Sequence, residues 1–330
     1  MLSALVILYL FLGGAGAGTI VALSVLECFD AQRHQGQSRR AAVAQAGLRG
    51  GLRSAGSYTP PARSLGLPRN FYARAWPLSF VLVAVGALYL LCDIGRPDRL
   101  LALVAHPSLS AIAIGTWAII VCLVVSGAFS ALSLFEGMDV PPAAVSALGV
   151  VGIGAGLVTA VYTGVLLQSM ASIVFWQTAF VPAAFLLSSL SCGVACVFAA
   201  LSFTESRQPL NSFAVGLARI DSVLIVLEAA CLVGLLAVGM ATPSARDAAW
   251  SLVGGEYRWL FWGGLVGVGL VAPFVLERVS ASERRRLLLL WTACLVLAGG
   301  FVLRWCTVLV ASYDVTQMPS VVYGVMGAVL

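Results

Sequence analysis

The chain contains no lysine: all nineteen of its Lys+Arg residues are arginines. Charge of either sign is scarce, at 10% of 330 residues, where a soluble domain carries roughly a quarter. Histidine occurs twice, at His34 and His106. The eight cysteines (Cys28, Cys92, Cys122, Cys192, Cys196, Cys231, Cys294 and Cys306) include no Cys-x-x-Cys pair. An iron–sulfur or zinc framework is therefore absent from the pattern, and the thiols read as small apolar residues. Nothing in this balance points to a nucleic-acid partner.

What the chain has in abundance is apolar length. Hydrophobic residues make up 60% and the mean hydropathy is +0.99. Continuous apolar runs recur throughout, each long enough to cross a hydrocarbon core of about 30 Å as a helix. Lipid offers the backbone no hydrogen-bond partner, so only helices or closed barrels cross it, and runs without alternation exclude the barrel. The expected fold is an all-α integral membrane protein with about eight spans, at 2–26, 77–95, 111–135, 145–167, 174–202, 221–241, 259–276 and 287–311. The first run lacks the basic start of a secretory signal and exceeds its usual apolar length of roughly 7–15 residues, so it reads as a transmembrane helix.

The arginines set the expected topology. Arg33, Arg39, Arg40, Arg49, Arg53, Arg63, Arg69, Arg74, Arg207, Arg219, Arg278, Arg284, Arg285 and Arg286 fall on one side; Arg96, Arg99, Arg246 and Arg258 fall on the other. By the positive-inside rule the first group is cytoplasmic and both termini face outward. The 27–76 segment is expected to be a basic cytoplasmic loop lying against anionic headgroups or docking a partner. The apolar tail Pro319 to Leu330 is too short to cross and is either interfacial, packed on a partner, or the stub of a ninth helix. His34 and His106 lie on opposite sides, which excludes a bis-histidine haem inside the bundle. The chain is thus expected to hold no haem, no iron–sulfur cluster and no other metal.

Polar groups at membrane depth are costly and mark function by default. Asp93 ends the second span in Cys92-Asp93-Ile94-Gly95-Arg96-Pro97, where it either pairs locally with Arg96 or serves a site. Tyr162, in Tyr162-Thr163-Gly164, is either an interfacial anchor or a donor to a quinone carbonyl, with Gly164 letting a flat ring approach the backbone. Asp221 and Glu228 are seven apart, on one helix face, with Glu228 about 10 Å deeper. Glu228 is either a proton-relay station or a buried, hydrogen-bonded acid. Arg304 either snorkels outward, pairs with Asp314, or lines an internal polar cavity. Gly14 and Gly18 form a Gly-x-x-x-Gly face suited to close helix packing.

Four fragments, in order, resemble the NrfD/PsrC family, the membrane subunits of polysulfide-reductase-type oxidoreductases. They are Phe11-Leu12-Gly13-Gly14-Ala15-Gly16-Ala17-Gly18; Asp93-Ile94-Gly95-Arg96-Pro97 followed by Leu100 to His106; the run from Tyr162-Thr163-Gly164 through Phe175-Trp176 and Pro182 to Phe185-Leu186-Leu187-Ser188 and Gly193; and Arg219-Ile220-Asp221 with Leu227-Glu228. The resemblance implies two four-helix bundles, 1–167 and 168–330, with a quinone site near the outer face of the first. It also implies a four-iron-cluster, ferredoxin-like partner on that face and a third, catalytic subunit, a molybdopterin enzyme or a multihaem cytochrome. Where the family can carry a polar residue or histidine in its first helix, this chain offers Tyr9 and Ser3, with His106 nearby in the outer loop.

The expected function is that of a quinone-binding anchor exchanging electrons between menaquinol and the iron–sulfur partner. Tyr162, with Gln168 or His106, would hold a ring oxygen, and Tyr9 would join them. Asp93, tuned by Arg96, would exchange the proton, and Asp221 and Glu228 are relay candidates. Quinol oxidation or quinone reduction would occur only together with the partner subunits. The rival readings are a purely structural anchor without quinone and a secondary transporter, the latter lacking a visible internal repeat.

Overall fold

The computed structural model describes residues 4–47, 67, 69–94, 110–135, 140–170, 173–204, 210–282 and 286–310. Among these every regular element is helical. The helices are α1 (Ala4–Gly47), α2 (Arg69–Ile94), α3 (Ala111–Leu134), α4 (Pro142–Gln168), α5 (Phe180–Ser202), α6 (Leu210–Ala241), the short α7 (Arg246–Val253), α8 (260–282) and α9 (Arg286–Leu309). Eight of them are long and apolar enough to cross a membrane, and they match the eight apolar runs of the sequence.

Two ends differ from expectation. Helix α1 continues past its apolar run to Gly47, so the first part of the 27–76 segment is helix. The stretch from Ala31 to Gly47 contains no proline and is rich in alanine, glutamine and arginine, all strong helix formers. Helix α2 begins at Arg69, ahead of Pro77, which sits inside it. A proline there removes its own N–H from the ladder and crowds the carbonyl four residues back, that of Ala73. Helix α7 went unread because it is too short to register as a span. Over Leu260–Val271 helix α8 takes the wider π geometry before becoming regular over Ala272–Ser282.

Packing follows the chain order in both halves. Helix α1 lies against α2 and α4, and α3 bridges those two; α5 lies against α6 and α9, and α8 bridges those two. The halves meet where α1 packs on α5. These two helices are the most buried of the eight, with 67% and 78% of their apolar windows inside the molecule. Their sequences explain why. A Cβ on Gly18 would stand 1.8 Å from the Ser189 carbonyl oxygen, and one on Gly193 would stand 2.2 Å from the Gly18 carbonyl carbon. The backbones touch directly, which only small residues allow, and lipid supplies no hydrophobic drive that would compensate for a looser fit. The Gly-x-x-x-Gly face thus has the packing role read from its spacing.

The most specific of the four fragments is spent on the same junction. Trp176, in the turn Val174–Trp176, is fully buried and donates Nε1 to the Thr307 carbonyl at 2.9 Å, tying that turn to α9. Gly164 of α4 meets the backbone of Pro182, where a Cβ would come within 2.4 Å of the proline Cα. Its small size therefore serves helix contact, where the sequence suggested the approach of a ring.

Candidate functional site

Two phenols from opposite halves of the N-terminal helices come together. Tyr9 of α1 and Tyr162 of α4 are both buried, at 1% and 5% exposure, and their hydroxyls face each other. The two helices run antiparallel here, as the successive contacts of Gly149 and Gly152 with Ser24, and of Gly156 with Ala17 and Val21, require. Tyr162 lies flat on Gly115 of α3: a Cβ there would stand 2.3 Å from its ring carbons. Among the described residues the Tyr9 hydroxyl makes no hydrogen bond of normal geometry, although it is shielded from solvent. A buried hydroxyl left in that state costs about 1–3 kcal/mol, so the pair presents unused hydrogen-bonding capacity in an apolar surround.

The other residues read from the sequence divide into three groups. Asp93, in the last turn of α2, is exposed, and Gln168, at the end of α4, is half-buried. Helix α2 runs antiparallel to α1, with Gly86 against the backbone of Gly13, so Asp93 lies at the Tyr9 end of the bundle. Arg96 and His106 lie outside the described residues. Asp221 and Glu228 are buried in the C-terminal half, at 0% and 4% exposure, and they belong to a separate polar network.

Arg304 organises that network. It is wholly buried and directed inward, so it does not snorkel to the surface; Asp314 lies outside the described residues. Its Nε donates to the Leu10 carbonyl of α1 at 2.9 Å, Nη1 to the Gly300 carbonyl at 2.7 Å and to Ser188 Oγ at 3.2 Å, and Nη2 to Ser189 Oγ at 2.9 Å. The rings of Phe185 and Phe11 flank the guanidinium at 5.3 and 5.9 Å. Gly14 makes room for it, since a Cβ there would meet Nη2 at 2.6 Å. Ser188 also lies beside Glu228, so one serine stands between the buried cation and the buried acid. Only arginine presents five donors in a fixed fork, which suits one side chain to holding α1, α5 and α9 at once.

Two turns along α6 from Glu228 lies Asp221, with neither carboxylate oxygen in a hydrogen bond of normal geometry among the described residues. Glu277 of α8 and Ser191 of α5 are its polar neighbours. Ser222 donates to Glu277 Oε2 at 2.6 Å. Glu277 was missed in the sequence because the last residues of α8 looked like the start of a polar loop. The seven-residue spacing of Asp221 and Glu228 was the available signal, since a partner acid one helix away leaves none. A second pair of buried acids lies on α1 where its apolar run ends: Tyr72 donates to Asp30 Oδ2 at 3.0 Å and Trp76 Nε1 to Glu27 Oε1 at 3.4 Å.

The profile of the family described as "Polysulphide reductase, NrfD" matches residues 69–316. A stretch of 119 residues is 31% identical to Protein NrfD of Escherichia coli (strain K12), covering 35% of this chain and 37% of that protein. The chain thus spans little more than a third of that curated relative. With eight apolar helices and a family match over most of its length, this chain is a multi-pass membrane protein and belongs to the polysulphide reductase NrfD family.

Proposed function

We propose that this chain is the quinone-handling anchor subunit of a multi-subunit oxidoreductase in a bacterial inner membrane. The single observation that carries the reading is the facing pair Tyr9 and Tyr162, with a buried hydroxyl that makes no normal hydrogen bond. Two phenols side by side can donate to, or accept from, a ring oxygen, and Gly115 sets where the Tyr162 ring lies. Bound there, menaquinol supplies two electrons and two protons. Tyr162 and Tyr9 bind and orient the ring, and the apolar walls exclude water from it. Asp93, with Arg96 beside it in sequence, is the proposed proton acceptor toward the outer surface, and Gln168 or His106 is proposed to help Tyr162 hold a ring oxygen. The partner is a four-iron-cluster, ferredoxin-like subunit on the outer face, passing electrons to a molybdopterin or multihaem catalytic subunit. The two helical units, 1–167 and 168–330, then have different tasks: the first holds the quinone, and the second carries the acids Asp221 and Glu228 as proton-relay candidates. Both termini face outward on this reading.

The test uses the complex purified in mild detergent with its native partners. Menaquinol is added anaerobically and partner iron–sulfur reduction is followed by electron paramagnetic resonance, with and without a quinone-site inhibitor. Inhibitor-sensitive reduction is expected. Clusters that copurify yet stay oxidised at a potential favouring reduction would reduce the chain to a structural anchor.

A further inference from the structure

A groove runs along the seam between the two halves, away from the tyrosine pair. It is lined by Phe11 of α1, Leu82 of α2, Ala199 of α5 and Leu297 of α9. Arg74 and Phe203 stand at one end, where the arginine donates Nη1 to the Phe203 carbonyl. The groove encloses about 640 Å³, within the usual range of about 300–1,000 Å³ for small-molecule sites. It is apolar along its length and cationic at one end.

We propose that this groove binds an anionic phospholipid, with an acyl chain along the seam and its phosphodiester held by Arg74. Three features choose this occupant. From Arg74 on α2 to Phe11, which the contact of Gly13 with Gly86 places about six residues past Leu82, the groove runs for about 20 Å at 1.5 Å per residue, short of the full core of about 30 Å. A transmembrane helix of a partner would need a groove through both leaflets. The guanidinium is exposed, and one bond to a carbonyl leaves most of its five donors for a phosphate. Arg74 also belongs to the side that collects fourteen arginines, where positive residues face the anionic leaflet. A quinone tail would gain nothing from the cation. The lipid would fill the cleft that the contacts of α5 with α1 and α4 leave open between the halves.

The test is a lipid titration of the full complex, delipidated in maltoside and read by native mass spectrometry. Dioleoyl phosphatidylglycerol and dioleoyl phosphatidylcholine are the probes. The intact protein should retain phosphatidylglycerol preferentially. Arg74→Gln should lower its affinity about fivefold, the worth of one arginine at a charged surface, and lower that of phosphatidylcholine by less, because choline already neutralises the same phosphodiester. Arg74→Lys should keep the preference, and Ala199→Phe, which fills the groove, should weaken both lipids. Equal retention of the two lipids by the intact protein overturns the proposal. So does phosphatidylglycerol binding that is the same in all variants. Displacement of phosphatidylglycerol by added menaquinone would reassign the groove to a quinone tail and also overturn it.

Discussion

Replacing Arg304 with methionine, an unbranched residue that fills a similar path, removes the cation buried at the meeting of α1, α5 and α9. The cost can be worked from its partners. The Leu10 and Gly300 carbonyls lie inside helices and keep their ladder donors, from residues 14 and 304, so they lose little. Ser188 and Ser189 each lose a donor, and polar pairs within membranes are worth about 0.6 kcal/mol on average and about 1.7 at most. That accounts for about 1–3 kcal/mol. The larger consequence falls on Glu228, which loses the cation on the other side of Ser188. Breaking a buried pair from one side typically costs about 3–5 kcal/mol in all. Adding Glu228→Gln to Arg304→Met should therefore restore about 2 kcal/mol, although neither change adds a contact. Thermal unfolding in detergent with a thiol-reactive fluorophore suits the measurement, because Cys122, Cys192, Cys196 and Cys306 are buried until the helices separate. The expected ranking is wild type, then the double variant, then Arg304→Met. A double variant less stable than Arg304→Met, with the two losses simply adding, would refute the reasoning.

Gly115→Ala drives a Cβ into the Tyr162 ring, so quinol-linked activity should fall at least about tenfold, since a displacement of about 1 Å can cost a hundredfold. Gly154→Ala, with no atom within 4 Å, should leave activity and stability within about 0.5 kcal/mol of wild type; equal losses in the two alanine variants would remove the tyrosine from the argument. Gly193→Val places bulk on the α1–α5 contact and should lower stability by about 1–3 kcal/mol or block folding, read as loss of the monodisperse peak in detergent. Trp176→Phe loses the bond to Thr307 and should cost about 1 kcal/mol; an unchanged unfolding temperature would mean that the turn is held by packing alone.

The spans were legible because lipid imposes length and apolarity on every crossing segment, and eight such runs stand between polar stretches. Their ends were less so. Beyond Leu26 the apolar signal stops while the backbone stays helical to Gly47, since helix propensity and hydropathy are independent properties. The glycines at 14 and 18 announced a close helix contact, but their partners Ser189 and Gly193 lie more than 170 residues away and no local pattern names them. Arg304 was visible as an anomaly, yet its direction depends on three helices that only the fold brings together. The same limit applies to the candidate site. Tyr9 and Tyr162 each stood out, but their encounter follows from the antiparallel pairing of α1 and α4. Asp93 and Gln168 do fall toward that end, exposed and half-buried respectively, while Arg96 and His106 lie outside the described residues.

The central claim is that the tyrosine pair handles quinol. The direct measurement is the rate of partner-cluster reduction by menaquinol in complexes carrying Tyr162→Phe, Tyr9→Phe, or both, at matched cluster content. Phenylalanine keeps the ring on Gly115 and removes only the hydroxyl, so stability should hold while the rate falls by about tenfold for Tyr162→Phe, the worth of roughly one hydrogen bond. The double variant should be slower still. Rates equal to wild type in the double variant, with intact clusters and inhibitor sensitivity, would contradict the account.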